Sequence, residues 1–327
     1  MGLGLIHAAI AFLMVNSVNA LTTSSSTNAT CTAEQRKAVM RMTPEGAQHV
    51  ALIQECRFSR SCIAKRASGR LRNLLARASS QESEDLHLYF QFFDAPAYNA
   101  TGASAARGGL YVELGALDGK HLSNSVFYQN ALGWGGVLIE AALQNYMLLS
   151  KNVALGVRRN VSVVHAAACP EPTILQLPLP SGYFSEGHDV FNGRKNRGAS
   201  GRATNATSTM MMYTAKNGLV HQLSLASVLC VPMRTILEGA SHTARARGID
   251  LFSVDVEGHE LNVVDSHDWQ RLPAKVVIIE MNKKTTPPAV QAQIRSVLRE
   301  KASLCYFGKS GHANEVWVDP EFERKIA

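Results

Sequence analysis

The 327-residue sequence contains no Cys-x-x-Cys pair, which excludes zinc-ribbon spacing. It has no Gly-x-x-x-x-Gly-Lys-Ser/Thr segment, which excludes a phosphate-binding P-loop. Its 24 glycines follow no triplet period, which excludes a collagen. Charged residues are few, 18% against 46% hydrophobic, and that balance excludes a disordered chain. No apolar run reaches the ~20 residues of a bilayer span, so no transmembrane helix is expected in the mature chain. The charge that is present leans positive, +7 at neutral pH. This favours acidic partners such as anionic glycans or membrane surfaces. Nucleic acid is not the partner expected.

Residues Gly2–Val15 form an apolar run interrupted by His7, and Val18-Asn19-Ala20 supplies small residues for cleavage. This reads as a signal peptide over 1–20, although Lys and Arg are missing before the run. A short membrane anchor is the alternative. Four Asn-x-Ser/Thr sequons, at Asn28, Asn99, Asn160 and Asn205, agree with passage through the secretory pathway or secretion. There are six cysteines, Cys31, Cys56, Cys62, Cys169, Cys230 and Cys305, and they allow 15 pairings. Cys56 and Cys62 are close enough for a local bridge. Cys169 and Cys305, inside apolar strands, are equally readable as buried free thiols.

Residues 21–79 divide into a Ser/Thr-rich spacer and a helical extension. Thr43-Pro44-Glu45 is an N-cap followed by proline at the first helical position. From Arg57 to Arg77 there are seven Lys/Arg and no acids, a solvated helix face or a patch for anionic ligands. Residues 82–93 read as a helix whose acids Glu82, Glu84 and Asp85 complement its dipole. From 80 to 327 strands and helices alternate. Strands are expected at 110–114, 134–141, 161–165, 249–255, 274–281, 304–307 and 315–318, and helices at 126–132, 144–152, 234–246, from 261, and 288–301. The class is α/β, with about seven strands, mostly parallel, and a final antiparallel hairpin. Residues 170–220 break the rhythm with Pro, Gly, Asn and the basic cluster Arg194, Lys195, Arg197 and Arg202, as a lid or a disordered insert does.

The chemistry gathers at strand ends. Tyr111-Val-Glu113-Leu-Gly115-Ala-Leu-Asp118-Gly119 runs from an apolar strand into a glycine turn. Glycine belongs where a ligand or another backbone approaches closely. The spacing Gly-x-x-x-Gly differs from the dinucleotide fingerprint and disfavours NAD. Glu140 closes the next strand, where open α/β sheets grip ribose hydroxyls. Leu251–Glu260 delivers Asp255, Glu257, Gly258, His259 and Glu260 to the same edge, and Glu280 with Asn282 ends a fourth strand.

These residues resemble the FkbM-type methyltransferases, a branch of the class I S-adenosylmethionine-dependent enzymes. The matching stretches are Ser80-Gln81 with Glu84-Asp85, Val112–Gly119 with Ser123-Asn124, Leu132-Gly133-Trp134 with Leu138–Ala141, and Asp255–Glu260 with Asp268-Trp269. Leu117 departs from the class pattern, where a middle glycine is common. The resemblance implies a Rossmann-like fold and O-methyl transfer from S-adenosylmethionine to a hydroxyl acceptor such as a glycan. The residues assigned to the cofactor are Glu113, Gly115, Ala116, Asp118, Gly119, Asn124, Glu140, Ala141 and Asp255. Asp255, His259 and Glu257, in that order, are candidates to take the acceptor's proton. A hard cation on Asp255, Glu280 and Asn282 is the alternative, and no metal is assigned. Arg194, Lys195 and Arg197 are assigned to an anionic acceptor. A catalytically silent luminal binding or trafficking protein retaining the fold is the competing reading.

Overall fold

The computed structural model describes residues 30–40, 42–94, 108–179, 210–214, 220–243 and 246–326. The chain opens with short helices: α1 (Ala33–Val39), α2 (Pro44–Glu55), α3 (Arg60–Arg66), α4 (Gly69–Leu75) and α5 (Glu84–Leu88). Thr32 and Gln35 form a reciprocal capping box on α1. Thr43 caps α2 ahead of Pro44, as its sequence requires. The alternating part follows as β1 (Leu110–Leu114), α6 (Val126–Leu132), β2 (Gly135–Glu140), α7 (Leu143–Ala154), β3 (Val161–His165), β4 (Ala167–Ala168), β5 (Thr173–Leu179), β6 (Met210–Thr214) and β7 (Val220–Val231). It continues through α8 (Met233–Gly239), β8 (Ile249–Val254), α9 (Glu260–Ser266), β9 (Ala274–Glu280), α10 (Pro288–Glu300), β10 (Cys305–Ser310), β11 (Asn314–Val318) and α11 (Phe322–Ile326).

Seven strands form one sheet in the order β10-β11-β9-β8-β1-β2-β3. β11 pairs antiparallel with both β9 and β10, and the other pairs are parallel, so β11 alone runs against the rest. This is the expected seven-stranded α/β sheet with its terminal hairpin. β1, β2 and β8 are buried along their whole length, as parallel strands covered on both faces must be. One face, with Tyr111, Leu138, Leu251 and Val276, packs on the N-terminal helices and on Phe90, Phe92 and Phe93. The other, with Val112, Val137, Phe252 and Val277, packs against Ile236, Val263 and Ile294 of α8, α9 and α10. The helical extension thus shares a core with the sheet.

Several expectations are corrected. Cys169 and Cys305 are not free thiols: the disulfides are Cys31–Cys305, Cys56–Cys62 and Cys169–Cys230. The fold brings their Cα atoms to 4.9, 5.5 and 5.4 Å, within bridging distance. The first of these pins the end of the spacer to β10. The 170–220 stretch is not wholly irregular, because β5 and β6 pair antiparallel with β7 in a second sheet. Pro178 hid β5 from the sequence reading, and an edge strand tolerates it. The helix expected to reach 246 stops at Gly239, where the Thr243 hydroxyl donates to the carbonyls of Leu237 and Ala240.

The 82–93 helix begins at Glu84, after Ser83 in the left-handed region, and passes into a π-helical turn at Tyr89–Phe93. Every residue from Glu84 to Phe93 is buried, so its acids face protein rather than water. Five of the seven cations between 57 and 77 are held internally. Arg60, Arg72 and Arg77 donate to backbone carbonyls, Arg66 pairs with Glu55, and Arg70 pairs with Asp94. Among the described residues no helix is long and apolar enough to cross a membrane. The N-terminal apolar run, the sequons at Asn28, Asn99 and Asn205, and Arg194, Lys195, Arg197 and Arg202 lie outside the described residues.

Candidate functional site

The carboxyl ends of β1, β2, β8 and β9 converge on one edge of the sheet. β1 ends at Leu114, and the chain turns at Gly115, whose φ is +74°. A Cβ here would lie 1.8 Å from the Asp255 carbonyl oxygen, so only glycine lets β1 and β8 meet. The amides of Gly115 and Ala116 both donate to the Ile139 carbonyl of β2. Leu117, where the class pattern favours glycine, adopts a positive φ of 49° nonetheless. Its amide donates to Glu140 Oε2 at 2.8 Å, and the Ala142 amide donates to Oε1 at 2.8 Å. Glu140 therefore links the loops after β1 and β2. Burial pushes its carboxyl up to about 7, against the opposing pull of those amides.

The other residues assigned to a cofactor divide by the direction they face. Glu113 is buried, and its carboxylate accepts from the hydroxyls of Ser123 and Ser125 and the amide of Asn124. It clamps the loop and does not line an open cleft. Asp118 is turned into its own loop, accepting from the amides of Lys120 and His121 and contacting the His121 ring. Burial pulls its carboxyl up, but these hydrogen bonds outweigh it and hold it below the usual range. Gly119, φ +76°, leaves room for Leu149, which a Cβ would approach to 2.4 Å. Asn124 stands between β1 and β8: its side-chain NH₂ donates to Ser253 Oγ, and its buried Oδ1 has no partner among the described residues. Ala141 presents its carbonyl to His165 Nε2 at 3.1 Å, and the His165 ring stacks on Tyr146.

Asp255, Glu257 and Glu280 bring carboxylate oxygens within 4.8 Å of one another. Asp255 and Glu257 are exposed at the sheet edge and Glu280 is half-buried, yet the protein packed around them, then Glu280, Glu260, Glu84 and Glu113, raise Asp255 above the ordinary aspartate range. Glu257 is pushed up to about 7 by desolvation from the protein around it and by Asp255, and Glu280 to about 7 by its partial burial and Glu257. Glu257 takes a positive φ of 54°, and Gly258 follows at 103° against the Thr285 carbonyl. Glu260 holds this turn: its Oε1 accepts from the amides of Val256 and Gly258, its Oε2 from the Thr286 hydroxyl.

His259 stands at the start of α9, within 3.5 Å of the Asn262 side chain, and is not part of the carboxylate cluster. Asn282 lies beside this cluster: its NH₂ donates to Glu280 Oε1 at 3.4 Å and its Oδ1 accepts from the Lys284 amide. Glu257 is the third carboxylate of the cluster.

Two contributors were not singled out from sequence. Glu84 is buried, accepts from the Glu82 amide and Asn314 Nδ2, and is pushed up to about 7 by its burial. Its proximity to Asp255 could have been suspected only from the Glu84-Asp85 pair beside Ser80-Gln81. Arg158, wholly buried behind the 119–125 loop, left no sequence signal.

The model of the FkbM methyltransferase domain matches residues 113–303, more than half of the chain. No curated protein matches the sequence. The crystal structure of methyltransferase FkbM from Methylobacillus flagellatus is similar over 84% of this chain, at 10% identity and a TM-score of 0.36. The chain spans 60% of the length of that structure. With its seven-stranded sheet, its glycine turn after β1 and its acid-tipped β2, β8 and β9, the chain belongs to the FkbM methyltransferase domain family.

Proposed function

We propose that the chain is an S-adenosylmethionine-dependent O-methyltransferase acting on a hydroxyl of a glycan or another secretory-pathway acceptor. The observation that carries this reading is the glycine turn packed on Asp255 and tied to Glu140, with the unpartnered Asn124 oxygen beside it. Bound there, S-adenosylmethionine supplies an activated methyl for in-line displacement.

The chain's own groups have distinct tasks. Glu140, already held by the Leu117 and Ala142 amides and the Asn145 side chain, is the group that would accept from a ribose hydroxyl. Asn124 Oδ1 accepts from a cationic amine. Asp255, beside the glycine turn in the carboxylate cluster, takes the acceptor's proton. Glu257 is its nearest substitute.

The luminal assignment is supported by the pairing of all six cysteines, since disulfides persist in oxidising compartments. The four sequons and the apolar N-terminal run agree with it. The basic residues Arg194, Lys195 and Arg197 support an anionic acceptor. The test is methyl transfer from labelled S-adenosylmethionine to a panel of secreted glycans and glycoproteins. The expected result is base-stable label on a hydroxyl, lost in Asp255→Asn. Calorimetric binding of S-adenosylmethionine without turnover on any acceptor would leave only the cofactor part standing. Absence of binding would favour a binding protein that retains the fold.

A further inference from the structure

We propose that Arg158 is the positioning residue of the cofactor cleft: through Ser123 and Ser125 it fixes the loop that presents Asn124, and so sets the affinity for S-adenosylmethionine. The proposal rests on the cofactor reading above. Arg158 lies in the turn between α7 and β3 and is 1% exposed. A guanidinium has five N–H donors and no acceptor, and stays charged in proteins. Here it makes five hydrogen bonds, all to neutral acceptors. Nε donates to Gln129 Oε1 at 3.1 Å, Nη1 to the Gly119 carbonyl at 2.7 Å and Ser123 Oγ at 3.1 Å, and Nη2 to Tyr111 Oη and Ser125 Oγ, both at 2.8 Å.

That arrangement sets the polarity of the network. Because Arg158 only donates, Ser123 and Ser125 must turn lone pairs toward it. Each serine then has one hydrogen left, and each gives it to Glu113 Oε2. A buried cation and a buried carboxylate thus compensate each other through two hydroxyls, as buried charges require. Glu113 Oε1 takes the Asn124 amide at 2.8 Å. Residues 119, 123, 124 and 125 are therefore held from behind by Arg158 or Glu113. The Asn124 side chain turns toward Ser253 of β8, donating to its Oγ at 3.0 Å, and its buried Oδ1 has no partner among the described residues. Arg158 acts through Asn124 and the loop, never on the cofactor itself.

The test uses the full disulfide-bonded chain, titrated calorimetrically with S-adenosylmethionine, with urea unfolding measured on the same samples. Ser125→Ala keeps both charges and breaks one relay, and it should raise the Kd about tenfold, the scale of one hydrogen bond to a charged group. Arg158→Lys should bind more weakly than wild type and more tightly than Arg158→Met. In an Asn124→Ala background, adding Ser125→Ala should change the Kd by less than about twofold, because the presented group is already gone. A role confined to the core would lower the unfolding midpoint in every background and leave the Kd unmoved. If folded Ser125→Ala and Arg158→Lys bind as wild type does, the proposal is overturned, even if Arg158→Met fails to fold. If wild type itself does not bind, the cofactor reading fails and this proposal with it, a distinct outcome.

Discussion

Gly115→Ala tests whether the close approach of β1 and β8 at the cleft is real. Two costs are separable. The first is backbone: at φ +74° an alanine pays about 1–2 kcal/mol for the left-handed conformation. The second is steric. The new methyl would sit 1.8 Å from the Asp255 carbonyl oxygen, far inside van der Waals contact. That neighbour is backbone and cannot swing aside, so the glycine loop must shift by more than an ångström. Overpacking of this kind costs about 1–3 kcal/mol. Gly133→Ala supplies the control, because it has a similar φ of +69° and nothing within 4 Å of its would-be Cβ. The expected stability losses are about 1–2 kcal/mol for Gly133→Ala and about 2–5 kcal/mol for Gly115→Ala, read by urea unfolding. Gly115→Ala should also weaken S-adenosylmethionine binding, while Gly133→Ala should not. Equal losses in the two variants, with cofactor binding unchanged in both, would refute the reasoning.

Asp255→Asn should lower turnover on a confirmed acceptor about 10²–10⁴-fold with little change in cofactor affinity, the scale of general-base loss. Activity that survives a chelator would keep Asp255 as a direct base, and activity lost to chelation would assign the Asp255–Glu257–Glu280 cluster to a cation. Glu84 is held at about 7 against an ordinary value of 4.5. The folded chain therefore holds a proton that the unfolded chain has released across that window, and stability falls as pH rises through it. Urea unfolding at pH 5 and 8 should show that fall reduced by about 2.5 kcal/mol in Glu84→Gln. Replacing Cys31 and Cys305 together by serine should cost about 3–5 kcal/mol, because the bridge closes a loop of sequence separation 274. Acceptor affinity should weaken as salt rises if Arg194, Lys195 and Arg197 contact it, and charge reversal there should spare cofactor binding.

The sheet was legible in the sequence because its strands are short apolar runs bounded by glycine and acids. Leu110–Leu114, Gly135–Glu140, Ile249–Val254 and Ala274–Glu280 each carry that pattern, and each ends at the site edge. Their acids were legible for the same reason, since a carboxylate closing an apolar run needs a partner. Which partner it finds is set by long-range packing. Glu113 and Glu140 look alike at strand ends, yet one clamps serines and the other bridges two loops. Arg158 follows a helix and reads as a surface cation until the fold closes the 119–125 loop over it. Cysteine pairing is equally non-local, as the Cys31–Cys305 bridge shows. The second sheet was hidden because alternation in 173–179 is interrupted by Pro178, and its partner strand β7 lies about 50 residues further on.

The central claim is that the edge between Gly115, Glu140 and Asp255 holds S-adenosylmethionine. The most direct measurement is a calorimetric titration of the disulfide-bonded chain with S-adenosylmethionine and S-adenosylhomocysteine, in wild type and Glu140→Ala. Both ligands should bind saturably at one site in wild type. In folded Glu140→Ala the binding of S-adenosylmethionine should be weaker by about 1.5–3 kcal/mol, the cost of losing charged hydrogen bonds. No binding in wild type, or binding unchanged by Glu140→Ala, would contradict it.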